Sequence, residues 1–330
     1  MSLSADYRGG QFFADPRLGV IPFPKVRGTK NWPDGRRLTF THNSRGLRSN
    51  YEFEERKTDA YRILMLGDSY TYGLNVNDNE TFSHYLQTAY NNKKLNVQVI
   101  NAGNPGKGTD YAVKFFRFLG NKYHPNLVML WVFHNDFYDN ARGDYYFVDS
   151  AGQLYEKPAF VTGVDRFRNT SIYGWFMSWS HLANFLKGAI VKIWQILRPT
   201  KRLYAAMPIY LRTSLTAEQY RLTAIYISKL RDAVISSGGA LIICYIPDML
   251  ELNHFLNTGE CYEYELATAR IAHDKGLEFL SFTQIFSQYR GDHTRLFNSF
   301  DVHFSPHGNR FVATYLEKYL HERVEGVGSR

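Results

Sequence analysis

The sequence predicts an α/β fold with a parallel sheet covered by helices on both faces. Short apolar runs recur at residues 63–66, 97–100, 127–133, 240–246 and 277–280, and segments of helical spacing lie between the first four. The runs at 63–66, 127–133 and 240–246 are apolar throughout instead of alternating, which is the pattern of strands buried on both sides. Strand–helix–strand succession then requires parallel pairing with right-handed crossovers.

Residues 1–58 precede this rhythm. They are rich in Gly, Pro, Arg and Asn with little periodicity, and read as an irregular N-terminal extension packed on a domain spanning 59–330. The run at 63–66 stops at Gly67-Asp68-Ser69, which leaves Ser69 where a buried sheet meets solvent. The helix at 81–91 carries Phe82, Tyr85, Leu86 and Tyr90 on one face. The second run ends in the Gly-rich turn Asn101-Ala-Gly103-Asn-Pro-Gly106, a helix at 111–119 follows, and the third run ends in His134-Asn135-Asp136.

An aromatic insertion at about 140–214 then interrupts the pattern. Within it Leu182, Phe185, Ile190, Ile193 and Leu197 have the spacing of an amphipathic helix. The plainest reading is an insertion packed on its own domain. The alternatives are a cap over the strand ends, or a peripheral membrane helix aided by Lys187, Lys192 and Arg198. Thr216 and Gln219 form a capping-box signature that opens a helix to about residue 236, and Gly238-Gly239 ends it. The fourth run stops before Pro247. Ser305 as N-cap and Pro306 at the first position open a final helix over 306–320. No internal repeat occurs.

Composition bounds the function classes. With 44% hydrophobic and 21% charged residues the chain reads as globular, not disordered. The formal charge of +8 reads first as a basic surface with no specific partner, and otherwise favours anionic partners such as a membrane surface or an anionic polysaccharide. The basic residues are dispersed and form no nucleic-acid motif, so no nucleic-acid partner is expected. Two cysteines, Cys244 and Cys261, make no disulfide framework, and Cys244 reads as a buried small hydrophobe. No metal-ligand spacing is present, and neither a metal nor an organic cofactor is expected. No run of about 18 apolar residues would span a membrane. The first residues show no leader pattern, which reads as cytoplasmic, or as periplasmic or secreted where a leader has been removed.

Three turns at strand ends carry the chemistry, because ligands of open α/β sheets bind there. Ser69 supplies a hydroxyl, which needs a base to become a nucleophile. Gly106 presents a backbone N–H, with Gly103 as the alternative, and Asn135 presents an amide. With the Ser69 N–H these donors would hold an oxyanion. The base comes from Asp301-Val302-His303. Residues i and i+2 of an extended segment face the same side, so Asp301 can approach Nδ1 of His303 and leave Nε2 for Ser69. His307 is a rival base, placed in a first helical turn where the dipole disfavours protonation. A polar, helix-capping loop with no catalytic part is the bland reading of the same residues.

The blocks GDSYTYG, NAGNPGKG, HND and DVHFSPHGN, in that order, resemble the four signature blocks of the SGNH (GDSL-type) hydrolases. The resemblance covers roughly 60–140 and 240–320, and extends to Asn43-Ser44-Arg45-Gly46-Leu47. It implies a flavodoxin-like three-layer sandwich with a five-stranded parallel sheet. It also implies Ser69 as nucleophile, Gly106 and Asn135 as oxyanion donors, and Asp301 and His303 as orienting acid and base. The chain departs from the pattern in having one residue between Asp301 and His303 where two are commoner. His134 stands where glycine is usual, and Asn309 where histidine is frequent.

The reading that follows is a serine esterase or acyl hydrolase acting through a Ser69 acyl-enzyme on a small-molecule or glycan ester. Two alternatives remain. One is carbohydrate O-acetyl transfer or de-acetylation, motivated by the aromatic insertion and the positive charge. The other is a non-catalytic binding module that uses the same cleft.

Overall fold

A computed structural model describes residues 12–31, 35–158 and 214–325. Five strands form the central sheet: β1 (Tyr61–Leu66), β2 (Val97–Asn101), β3 (Leu127–Val132), β4 (Ala240–Tyr245) and β5 (Glu278–Ser281). Their order is β2-β1-β3-β4-β5, and every pair is parallel. This is the flavodoxin-like doubly wound order, whose switch point lies between β1 and β3. The turns that carry Ser69 and Asn135 leave those two strands, so both residues sit at the crevice that the topology opens.

The helices are α1 (Ser69–Tyr72), α2 (Phe82–Asn92), α3 (Thr109–Phe118), α4 (His134–Arg142), α5 (Ala217–Ser236), α6 (Met249–Thr258), α7 (Glu263–Asp274), α8 (Phe282–Ser287), α9 (Pro306–Tyr319) and α10 (His321–Glu325). Successive strand residues point to opposite faces. Leu64, Leu66, Val128, Leu130, Leu241 and Ile243 therefore join one core with α3, α4, α5 and α7. Ile63, Met65, Met129, Trp131, Ile242 and Cys244 join the other with α2, α8 and α9. Both faces are largely buried along the three central strands, which explains the unbroken apolar runs at 63–66, 127–133 and 240–246.

The caps expected from sequence are present. Thr216 Oγ1 accepts the Gln219 N–H at 3.2 Å while Gln219 Oε1 accepts the Thr216 N–H at 2.9 Å. Ser305 Oγ accepts the Gly308 N–H at 3.1 Å ahead of Pro306. Cys244 is fully buried in β4, and both cysteines are free. No helix among the described residues is long and apolar enough to cross a membrane.

Several expectations need correction. The segment before β1 is not irregular: Phe12–Asp15 pairs antiparallel with Gly19–Pro22, and Val26–Asn31 with Arg37–His42. Alternation is present there, with Leu38, Phe40 and His42 buried, but each run is too short and polar to stand out. Helices α6 and α7 lie between β4 and β5, and α8 follows β5; the sequence reading assigned no element to any of the three. Exposed Leu250, Leu256 and Leu266 blur the apolar face of α6 and α7. Phe133 leaves β3 to cap α4, because the Asp136 carboxylate accepts its N–H at 3.0 Å. After α4 a short hairpin pairs Tyr146–Val148 with Leu154–Glu156. The aromatic segment 171–197, with the amphipathic helix expected in it, lies outside the described residues.

Candidate active site

Ser69 opens α1 immediately after the β1 turn. Asp68 caps this helix, its Oδ1 accepting the Tyr70 N–H at 2.9 Å. Gly67 makes the turn sterically feasible: a Cβ there would lie 2.3 Å from Thr71 Oγ1 and 2.8 Å from the Trp131 carbonyl oxygen. The far end of α1 is held by buried Arg48. Its guanidinium donates to the carbonyls of Tyr72 at 3.2 Å, Val76 at 2.6 Å and Gly73, and pairs with Asp78 at 3.2 Å. Arginine at a helix C-terminus satisfies carbonyls that have no partner within the helix.

His303 reaches Ser69 from the loop before α9. Its Nε2 lies 2.8 Å from Ser69 Oγ. Its Nδ1 lies 3.1 Å from Asp301 Oδ2, although the ring N–H and the carboxylate are not aligned as a linear hydrogen bond. Asp301 Oδ1 accepts the backbone N–H of His303 at 3.0 Å, which closes a tight turn between the two residues. Tyr70 braces this loop: its hydroxyl donates to the Val302 carbonyl at 2.5 Å, and its ring centroid lies 5.0 Å from that of His303. Burial alone would raise the Asp301 carboxyl. The hydrogen bonds from His303 and Asn75 and the imidazole charge outweigh it and hold the group below the usual carboxylate range.

His307 does not meet Ser69; its Nε2 pairs with the Tyr289 hydroxyl at 2.7 Å. Asn309 ties helices together, its Oδ1 accepting the Phe82 N–H at 3.0 Å and its amide donating to the Ser305 carbonyl at 3.0 Å. Of the two candidate glycines, Gly103 is engaged: its N–H donates to Asn101 Oδ1 at 3.0 Å, and a Cβ would lie 2.1 Å from the Tyr72 nitrogen. It is glycine because the β2 turn presses on α1. Gly106 is exposed at φ +70° in open space. Asn135 lies in the first turn of α4, with its amide directed at two carboxylates: it donates to Asp68 and stands 3.4 Å from Asp139 Oδ2.

Burial raises the Asp68 and Asp136 carboxyls, and the Asp68 charge raises Asp136 further. Asp68 also accepts from Asn135 and the Tyr70 N–H, which favour its ionised form. The floor beneath Ser69 thus holds two buried acids that cannot easily both ionise. No cluster of His, Cys, Asp and Glu among the described residues has the arrangement of a metal site. An open groove of about 410 Å³ along α5 and a cavity of about 30 Å³ beside Arg48 and His84 both lie away from Ser69.

The sequence reading missed Tyr70, Asn75, Lys30 and Arg48. Tyr70 adjoins the GDS block and Arg48 follows Asn43–Leu47 by one residue, so both stood beside recognised signals. Asn75 donates to Asp301 and Lys30 lies 3.5 Å from Asn75 Oδ1. These are tertiary contacts with no local signature.

The GDSL-like lipase/acylhydrolase family model matches residues 65–311. A comparison with curated protein sequences finds no match. Solved structures that resemble the chain include a lipase/acylhydrolase from Enterococcus faecalis, 12% identical with TM-score 0.46, over 80% of this chain and 96% of that one. A family 3 carbohydrate esterase of Clostridium thermocellum is 12% identical with TM-score 0.44, over 81% of this chain and 98% of the other. A psychrotrophic esterase from Pseudoalteromonas sp. is 12% identical with TM-score 0.42, over 79% and 99% respectively.

Proposed function

The chain belongs to the GDSL-like lipase/acylhydrolase family, and for this ester hydrolase we propose a covalent mechanism in which Ser69 carries the acyl group. The observation that supports it is the 2.8 Å contact between His303 Nε2 and Ser69 Oγ, with Asp301 behind the imidazole.

In this reading His303 Nε2 takes the Ser69 proton as Oγ bonds to the ester carbonyl carbon. The carbonyl electron pair moves onto oxygen, and the oxyanion is held by the N–H groups of Ser69 and Gly106 and by the Asn135 amide. Asn135 serves once one of its N–H bonds turns from a carboxylate toward the oxyanion. The intermediate collapses with loss of the alcohol, which leaves with the proton from His303. Water then attacks the acyl-enzyme, gives its proton to His303, and the acid departs as Ser69 Oγ recovers the proton. Asp301 fixes the imidazole tautomer and stabilises the imidazolium. No step needs a metal or an organic cofactor.

The reading is tested with acetyl and butyryl esters of small alcohols on wild type, Ser69→Ala and His303→Ala. It requires turnover that both substitutions abolish. Equal turnover in all three would sink it.

A further inference from the structure

The Asp301 carboxylate is held from three directions. Its Oδ1 takes the His303 backbone N–H at 3.0 Å, so the turn itself occupies that oxygen. Its Oδ2 faces His303 Nδ1 at 3.1 Å and also accepts the Asn75 amide. Asn75 is buried in the left-handed region at φ +70°, a conformation that asparagine tolerates better than most residues and that recurs at functional sites. Its amide oxygen faces Lys30 Nζ at 3.5 Å. An ammonium can only donate, so Lys30 assigns the amide oxygen to itself and the amide N–H to Asp301. Lys30 belongs to the strand Val26–Asn31, outside the central sheet.

We propose that Asn75 and Lys30 form a positioning relay that holds Asp301 Oδ2 within reach of the His303 imidazole. The inference rests on the catalytic reading above. With one residue between Asp301 and His303, the tight turn uses one carboxylate oxygen and leaves the other out of line with Nδ1. A second donor must then stop the carboxylate from rotating, and Asn75 supplies it. Lys30 keeps the amide from flipping, and its charge favours an ionised Asp301. Among the described residues, the other titratable groups at this pair are Asp68, whose charge acts on His303, and Tyr70, whose ring packs on the imidazole. Both belong to the β1–α1 segment and stay in place when Asn75 or Lys30 is changed.

The experiment measures the rate at which an alkyl phosphonate ester labels Ser69 as a function of pH, with folded protein monitored by thermal melting. Labelling needs neutral His303, so the acid limb reports its titration. Glycine accepts positive φ, so Asn75→Gly removes the amide and keeps the turn. We expect Asn75→Gly to label roughly 10- to 100-fold more slowly than wild type. Asn75→Asp places a second carboxylate beside the pair and moves the acid limb up by about one pH unit. Lys30→Met shifts it less, in the same direction, and Lys30→Arg restores the wild-type profile. A purely structural role would lower melting temperature and leave the limb where it is. Profiles that superimpose on wild type, with equal rates per folded protein, overturn the relay alone. Failure of wild-type Ser69 to label overturns the catalytic reading and the relay with it.

Discussion

Ser69 Oγ and His303 Nε2 stand 2.8 Å apart although 234 positions separate them in the chain. The contact needs β1 and the loop before α9 to converge at one end of the sheet. Tyr70 links the two directly, since it follows Ser69 in α1 and its hydroxyl holds the Val302 carbonyl between Asp301 and His303.

Asp301→Asn removes the charge that orients His303, and turnover should fall on the order of 1000- to 10,000-fold, read as kcat at saturating ester. The same variant reports a stability linkage. A carboxyl held below its usual range stabilises the fold above about pH 4 and loses that contribution as pH falls through its folded-state value. The stability gap between wild type and Asp301→Asn, measured by thermal melting, should therefore narrow between about pH 5 and pH 3. A gap independent of pH would contradict the assignment.

His42 is buried between the Phe23 carbonyl at 3.0 Å and the Tyr72 hydroxyl at 2.8 Å. Burial first, and then the Arg48 charge, lower its pKa to about 3. It is neutral in both states above about pH 6.5, and below that the unfolded chain gains a proton that the folded chain refuses. Stability should fall by up to about 1.4 kcal/mol per pH unit from this group as pH drops from about 6.5 toward 4. Urea unfolding of His42→Gln should show a shallower pH slope over that window.

The two glycines of the β2 turn should behave differently. Gly103→Ala forces a Cβ to 2.1 Å from the Tyr72 nitrogen, where backbone on both sides has no room to yield. It should cost several kcal/mol, roughly 3 or more, and displace Ser69 with α1. Gly106→Ala meets open space and pays only for its positive φ, about 1 kcal/mol. Chemical denaturation of the pair separates these outcomes.

Asn135→Ala deletes an amide that now bridges toward Asp68 and Asp139. If that amide turns to the oxyanion during turnover, kcat should drop roughly 100- to 1000-fold with KM little changed. An unchanged kcat would leave Asn135 no part beyond its contacts with Asp68 and Asp139.

How far the sequence reveals this molecule depends on the reach of each interaction. The runs at 63–66 and 127–133 were legible because a strand buried on both faces must be apolar at every position. Ser69, Asp301 and His303 were legible because each stands in a short block beside a strand or helix end. Asn75 and Lys30 carry no such mark: their partners lie across the fold, and an Asn-Val-Asn or Thr-Lys-Asn triplet has no special pattern. The hairpin Val26–Asn31 with Arg37–His42 escaped notice because only one face is buried, over strands of six residues with Lys, Arg and Gly among them. The crowding that makes residue 103 a glycine comes from the approach of α1 to the β2 turn, which no local spacing encodes.

The most direct test of the account is the mass of the intact protein after exposure to an alkyl phosphonate ester, followed by peptide mapping. One adduct confined to Ser69 in wild type, absent in Ser69→Ala and strongly slowed in His303→Ala, is the predicted result. An adduct at another residue, or equal labelling of wild type and His303→Ala, would contradict it.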